Sequence, residues 1–467
     1  MEQVGKALAD FLAAASGFVW GWPLVALLFG THIYLTIRLG IIQRYIPLAI
    51  RLSLRRTLEG RGDISHFGAL ATALAATTGA GNIIGVGTAV ATGGPGAILW
   101  MWLTGVFGIA TKYSEALLSV HYRTVNERGQ MSGGPMYVLE RGLGMKWMGV
   151  IFAVLTAIAA FGIGNMVQAN SIANLMEETL KVPHWMTGLG LTVLTGLVII
   201  GGVKSIAKVC ERLVPFMCLF YIAGCILLLV IHLDRLPGTL ELIFRSAFVG
   251  QAAIGGFAGA IVRDAVQRGV ARGLFSNESG MGSAPILAAA AQTKNPVRQA
   301  LVSSTGTFWD TVVICLLTGL VVVNSGDWTR GLAGNQLTHA AFSELGQVGP
   351  LVLTLGLLTF VFSAMLGWCY YGEKAMEYLL GVRSVPFYRI VFVLAAFVGA
   401  VSVPKAVWDF ADIANGLMAI PNLISLLMLT GVLVSQTRKY LWEDRLELDV
   451  DDDAVGIRRQ TRKPDTQ

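Results

Sequence analysis

The stretch Ala75-Ala76-Thr77-Thr78-Gly79-Ala80-Gly81-Asn82-Ile83-Ile84-Gly85-Val86-Gly87 decides how this chain is read. It lies inside an apolar run, 67–91, long enough to cross a bilayer, because a hydrocarbon core of about 30 Å needs roughly 20 helical residues. Yet glycines, threonines and an asparagine fill its centre. Backbone facing lipid must satisfy its own hydrogen bonds, so an interruption at this depth belongs inside a bundle, beside protein, water or a solute. Glycine leaves helical geometry without a Cβ penalty. Freed carbonyls can coordinate a cation and freed amides can face a carboxylate, while Thr78 and Asn82 offer hydrogen bonds to a zwitterion. Gly81 and Gly85 also fit a small-residue packing stripe, and the glycines alone leave both readings open.

The rest of the chain agrees with a membrane setting. Of 467 residues, 54% are hydrophobic and 14% charged, against about 25% charged in a soluble domain. Mean hydropathy is +0.63. The formal charge of +6 comes with no nucleic-acid motif, and the basic residues gather in short connections, as topology signals do. Cys210, Cys218, Cys225, Cys315 and Cys369 lack metal-ligand spacing and predict no disulfide framework. No Walker A sequence occurs, so no ATPase lies in this chain and no ATPase subunit is expected. No paired carboxylates or nucleophile–base–acid set suggests an enzyme, and no cofactor is expected. A channel would need a ring of charges or a carbonyl filter, which the sequence does not offer.

Eleven candidate spans follow, at 17–37, 67–91, 97–121, 147–171, 186–203, 212–232, 246–263, 300–323, 347–371, 387–404 and 408–434. The stretch 276–292 reads as a re-entrant or surface helix. Arg38, Arg44, Arg51, Arg55, Arg56 and Arg61 form the strongest basic connection, which places it in the cytoplasm, the N-terminus outside and the C-terminus inside. On the same count Arg263, Arg268, Arg272, Lys294 and Arg298 form an internal connection. A second interruption, Ile254-Gly255-Gly256-Phe257-Ala258-Gly259-Ala260, stands five crossings after the first and so enters from the opposite side. That arrangement fits an all-α, five-plus-five inverted-repeat transporter with a central site and one additional N-terminal helix. The expected divisions are 1–66 for the extra helix and its basic connection, 67–232 and 246–434 for the two repeats, and 435–467 for a cytoplasmic tail.

Other polar residues fall at membrane depth. Gln168 lies toward one end of the fourth span. Thr359 and Ser363, four apart on one helical face, suit a hard cation that prefers oxygen, or equally hydrogen bonding within and between helices. Lys112 and Glu115, three apart, read as an ion pair near the interface. Asp409 and Asp412 read as an external rim.

Four blocks carry a resemblance: Ala75–Gly87; Gly93-Gly94-Pro95-Gly96-Ala97-Ile98-Leu99-Trp100-Met101-Trp102; Ser132-Gly133-Gly134-Pro135-Met136-Tyr137; and Phe275-Ser276-Asn277-Glu278-Ser279-Gly280-Met281-Gly282-Ser283-Ala284-Pro285. Together they resemble the alanine or glycine:cation symporter family over about residues 15–440, with Leu99 where the family has Phe. The resemblance implies the five-plus-five amino-acid transporter fold plus one helix, in the cell membrane. It implies symport of alanine or glycine with sodium, and with protons in some members. It points to Thr78, Gly79, Gln168, Gly255, Phe257, Gly259 and Trp368 as substrate-site residues, beside Asn82 from the reading above. It also implies that carbonyls around Ala75 and Thr78, with the hydroxyls of Thr359 and Ser363, hold sodium.

Overall fold

The computed structural model describes residues 2–55, 60–248, 258–401 and 404–448. Helices dominate them. Seven are long and apolar enough to cross a membrane, and an eighth candidate is a pair, α4 (His66–Thr77) and α5 (Gly81–Gly93), bent by 53°. The N-terminal region holds α1 (Glu2–Val19), α2 (Trp22–Arg38) and the short α3 (Ile46–Ser53); Asp10–Arg38 qualifies as one span. After α5 come α6 (Ala97–His121), a two-residue hairpin of β1 (Thr124–Val125) and β2 (Met131–Ser132), and α7 (Pro135–Leu143). The long helices α8 (Lys146–Leu180) and α10 (Gly202–Ile231) flank α9 (His184–Ile199).

The second half begins with α11 (Leu236–Phe248) and α12 (Ala258–Asn277), followed by the one-turn α13 (Pro285–Ala288). Then come α14 (Pro296–Asn324), α15 (Gly334–Ser343), α16 (Val348–Leu380), α17 (Val385–Val401), α18 (Pro404–Met428) and α19 (Thr430–Thr437). Local chemistry sets the key ends. Ser65 caps α4 by accepting from Gly68 N–H at 2.8 Å. Asn295 caps α14 by accepting from Arg298 N–H at 3.0 Å, with Pro296 in the first turn.

Helix α6 packs between α12 and α14, while α4 packs against α10 and α16. Close approach depends on small residues: a Cβ on Gly367 of α16 would stand 2.6 Å from that of Ala76, and Gly269 and Gly273 of α12 press on Ala97 and Thr104 of α6. On the outside, Leu197, Ile200, Leu219, Phe387 and Ile390 are exposed. Such an apolar girdle suits acyl chains rather than water.

The two ends of the bundle differ. At one, Arg123 donates to the carbonyls of Ala289 (3.0 Å), Ala291 (2.8 Å) and Arg61 (2.9 Å). Asp63 accepts from Met131 N–H at 2.8 Å, and Ser65 donates to Glu211 at 2.7 Å. These bonds close that end. At the other end a cavity of about 790 Å³ enters between Ile83, Thr92, Asn170, Arg272, Trp408 and Asp412.

Three sequence readings change. Of the helix expected at 246–263, residues 246–248 end α11, 249–257 lie outside the described residues, and 258–263 open α12, which runs on to Asn277. Arg268 packs against Gly93, and Arg272 lines the open cavity with Thr92. Arg268 and Arg272 therefore lie at the Thr92 end, opposite Arg61, and do not belong with Lys294 and Arg298. Windowed hydropathy misses α12 because Arg263, Asp264, Arg268 and Arg272 interrupt its apolar residues; Arg272 lines the cavity. The stretch 276–292 is not a surface helix either: Glu278, Ser279, Met281, Ala284 and Ile286 are buried.

Candidate functional site

The first break runs through Thr78–Ala80, where α4 ends and Thr78 turns to extended geometry. Two side chains take up the amides freed there. Asn82 Oδ1 accepts from Gly79 N–H at 2.9 Å, and Gln168 Oε1 accepts from Ala80 N–H at 3.0 Å. Gln168 is held by its own donation to Ile163 O at 3.0 Å, across the wide helical turn Gly162–Met166 within α8. Gly79 leaves room for this: a Cβ there would stand 2.8 Å from Gln168 Oε1.

A second break lies at Glu278–Ala284, between α12 and α13. Glu278 (φ 55°), Gly280 (φ 91°) and Gly282 (φ 82°) all adopt left-handed backbone, which only the glycines accept freely. The break abuts the first one: Gly81 packs on Phe275 and Ser276, with its Cβ position 3.3 Å from Phe275 Cδ1. Of the second interruption expected at 254–260, Gly255 and Phe257 lie outside the described residues, and Gly259 falls in the first turn of α12.

Between the breaks sits Asp310, wholly buried, in the wide turn Phe308–Cys315 of α14. Its Oδ1 accepts from Asn82 Nδ2 at 2.6 Å and from Thr78 Oγ1 at 3.4 Å. Its Oδ2 accepts from Ser276 Oγ at 2.9 Å and Thr311 Oγ1 at 2.8 Å. One carboxyl group thus gathers both broken segments. Asp310, Thr78, Ser276 and Thr311 bring four oxygen-bearing side chains together in the buried interior, a donor set suited to a small hard cation. The sequence reading missed Asp310, although an acidic residue ten positions into an apolar span is itself a signal.

Glu115 and Lys112 do not form the expected ion pair. Glu115 Oε1 accepts from Gly280 N–H and Gly282 N–H, each at 3.0 Å, and from Asn422 Nδ2 at 2.7 Å. Asn422 also donates to Gly280 O at 2.9 Å. Glu115 therefore anchors the second break, because the amides of an unwound loop need an acceptor and a carboxylate is a strong one. Lys112 Nζ is buried without a hydrogen-bond partner among the described residues, and its charge acts on Glu115, Glu278 and Asp310.

Trp368 of α16 is wholly buried, packs on Gly164 and meets Tyr371 edge to face at 5.3 Å. Its indole faces Glu278 without reaching hydrogen-bond geometry. Ser363 donates to Phe360 O of its own helix at 2.9 Å, and its hydroxyl also lies 3.4 Å from Ala75 O, where α16 meets the end of α4. Thr359 is not part of that contact: its hydroxyl donates to Leu355 O and Gly356 O, both at 2.9 Å, within its own helix. Arg272, Phe275 and Trp408 pack together beside the open cavity, which Arg272 and Trp408 line. Arg272 stands 3.8 Å from Asp412 and over the Phe275 ring, which stacks on Trp408 at 6.0 Å. Asp409 and Asp412 line the cavity.

The chain is 51% identical over 445 residues to the sodium/alanine symporter AgcS of Methanococcus maripaludis, covering 92% of this chain and 97% of that protein. It is 38% identical over 446 residues to the probable sodium/glutamine symporter GlnT of Bacillus subtilis, covering 94% and 91%. In fold it is similar to MhsT, solved in complex with L-phenylalanine, with a TM-score of 0.57 and 14% identity over 83% of this chain and 96% of that one. A manganese transporter of Eremococcus coleocola aligns with a TM-score of 0.51, 14% identity and 86% coverage of each chain. The profile of the sodium:alanine symporter family matches residues 5–453, and with these relatives it establishes that the chain belongs to the sodium:alanine symporter family and is a multi-pass membrane transporter rather than an enzyme.

Proposed function

We propose that this protein is a sodium-coupled symporter that carries a small neutral amino acid, alanine or glycine, into the cell by alternating access. The observation that carries this reading is Asp310, a buried carboxyl group held by Thr78 and Asn82, at and just after the first break, and by Ser276, in the last turn of α12 before the second. As a carboxylate it has no cation within salt-bridge distance among the described residues, and sodium supplies one. A second sodium fits the carbonyl of Ala75 and the hydroxyl of Ser363. The likeness to AgcS, a sodium/alanine symporter, supports both cargo and ion.

The substrate lies beside Thr78, Gly79, Gln168 and Trp368. In the structure Gln168 Oε1 occupies the Ala80 amide; the substrate carboxylate takes that amide when Gln168 swings away. Trp368 and Phe275 limit the side chain to a small one. The open cavity is the external approach, and the Arg123 layer is the closed internal gate. On this reading eleven crossings put the N-terminus outside and the C-terminus in the cytoplasm, with two five-helix repeats rocking against each other. A membrane voltage then adds about 2.3 kcal/mol per charge per 100 mV to the drive.

Uptake into liposomes under separately imposed sodium and proton gradients tests this. Saturable alanine or glycine uptake driven by sodium alone is expected. Uptake driven by a proton gradient without sodium assigns the ion as the proton and overturns the sodium reading; uptake indifferent to both gradients overturns symport.

A further inference from the structure

A second cavity, of about 460 Å³, lies between the end of α2 and the segment after α19, lined by Arg38, Ser435, Arg438, Lys439, Glu443 and Arg445. Four of these residues are cationic and one is acidic. Glu443 is taken by Arg445 at 3.3 Å, and Lys439 rests over the Tyr440 ring at 5.0 Å. Arg38 and Arg438 have no acidic partner among the described residues. Cations converging on one cavity repel, and an anion that takes hydrogen bonds from several of them relieves the repulsion.

The surroundings select the kind of anion. Ile37 and Ile41, which flank this end of α2, are 71% and 60% exposed. In a bilayer such residues meet acyl chains, whereas a soluble anion has no use for them. Basic pockets between membrane helices bind anionic headgroups in this way. We propose that this cavity binds the phosphate headgroup of an anionic phospholipid.

The position gives the lipid a consequence for transport. Just beyond the cavity, Glu447 accepts from Arg55 and Arg298, each at 3.0 Å, with Lys294 at 3.6 Å. Asn295 donates to Leu446 O at 2.9 Å and Leu448 O at 3.0 Å. Asn295 is also the cap of α14, the helix that carries Asp310. A headgroup bridging Arg38 and Arg438 ties α2 to the segment that clasps the start of α14, at the closed end of the bundle.

The test titrates the purified full-length protein in neutral detergent with phosphatidylglycerol, phosphatidylcholine or inorganic phosphate, with retained ligand read by native mass spectrometry. Phosphatidylglycerol is expected to be retained, phosphatidylcholine is not, and inorganic phosphate competes only weakly. The Arg38→Gln, Arg438→Gln, Lys439→Gln triple variant should weaken phosphatidylglycerol binding at least about tenfold, given about 1 kcal/mol per basic residue near a membrane surface. Arg245→Gln with Arg330→Gln, at exposed positions away from this cavity, should leave it unchanged. Equal retention of both lipids, an unaffected triple variant, or phosphate binding as tightly as the lipid would overturn the proposal. So would a large gain in lipid affinity in Asp451→Asn, Asp452→Asn, Asp453→Asn, which would make the acidic tail the occupant.

Discussion

Asn82 Nδ2 donates to Asp310 Oδ1 across 2.6 Å, joining residues 228 positions apart in the chain. Through the same side chain, Asn82 Oδ1 accepts from Gly79 N–H. Asn82 thus both satisfies the first break and ties it to the carboxyl group that Ser276 holds from the second. Both broken segments share one carboxyl group, the kind of linkage a coupled transporter needs between its ion and its solute.

Asp310→Asn should raise the sodium concentration for half-maximal uptake by about tenfold to a hundredfold, because hydrogen bonds and ion contacts to a charged group contribute about 1.5–3 kcal/mol each. Uptake measured against sodium at saturating alanine checks this. An unchanged sodium dependence would remove Asp310 from the ion site.

Ser363→Ala and Thr359→Val separate two positions one turn apart. Both hydroxyls bond back to their own helix, but Ser363 Oγ also lies 3.4 Å from the Ala75 carbonyl of α4, whereas Thr359 meets only its own helix. Ser363→Ala should raise the sodium requirement several-fold, on the order of the 1–1.5 kcal/mol of a neutral hydrogen bond. Thr359→Val should leave it within about twofold, since loss of a back-bond to the preceding turn is nearly neutral.

Gly79→Leu should abolish uptake while the protein remains folded in detergent, because the side chain would drive into Gln168. Thermal unfolding followed alongside uptake distinguishes a blocked site from a collapsed fold. Normal transport by this variant would displace the substrate from the first break.

Glu115→Ala leaves the Gly280 and Gly282 amides and the Asn422 amide without their shared acceptor. Each unmet buried group costs about 1–3 kcal/mol, so the thermal midpoint in detergent should fall clearly. Glu115→Gln keeps one carbonyl acceptor and should retain most of the stability. Equal effects of the two substitutions would show that the volume of the side chain, and not its oxygen, holds the loop.

The membrane class, the position of the first break and the small amino-acid cargo implied by family resemblance are legible in the sequence. Apolar length and glycine placement are local properties, summed along the chain, and Thr78–Asn82 is a contiguous interruption. The second break was legible only as a polar block, Phe275–Pro285, because α12 is too charged to pass as a membrane helix when read without its neighbours. Gly255 lies outside the described residues, and Gly259 falls in the first turn of α12, where glycine serves close packing as readily as unwinding.

By itself, then, the sequence determined that this chain lives in a bilayer, interrupts one crossing at Thr78–Ala80 and shares the motifs of a transporter family. Only the tertiary structure decided that Asp310 stands between the breaks, that Glu115 grips Gly280 and Gly282 instead of Lys112, and that Ser363 reaches Ala75 while Thr359 does not. Hydropathy records the cost of moving each residue from water to lipid. Whether a buried polar group is satisfied, and by which partner, depends on side chains that only folding brings within 3 Å or so of each other.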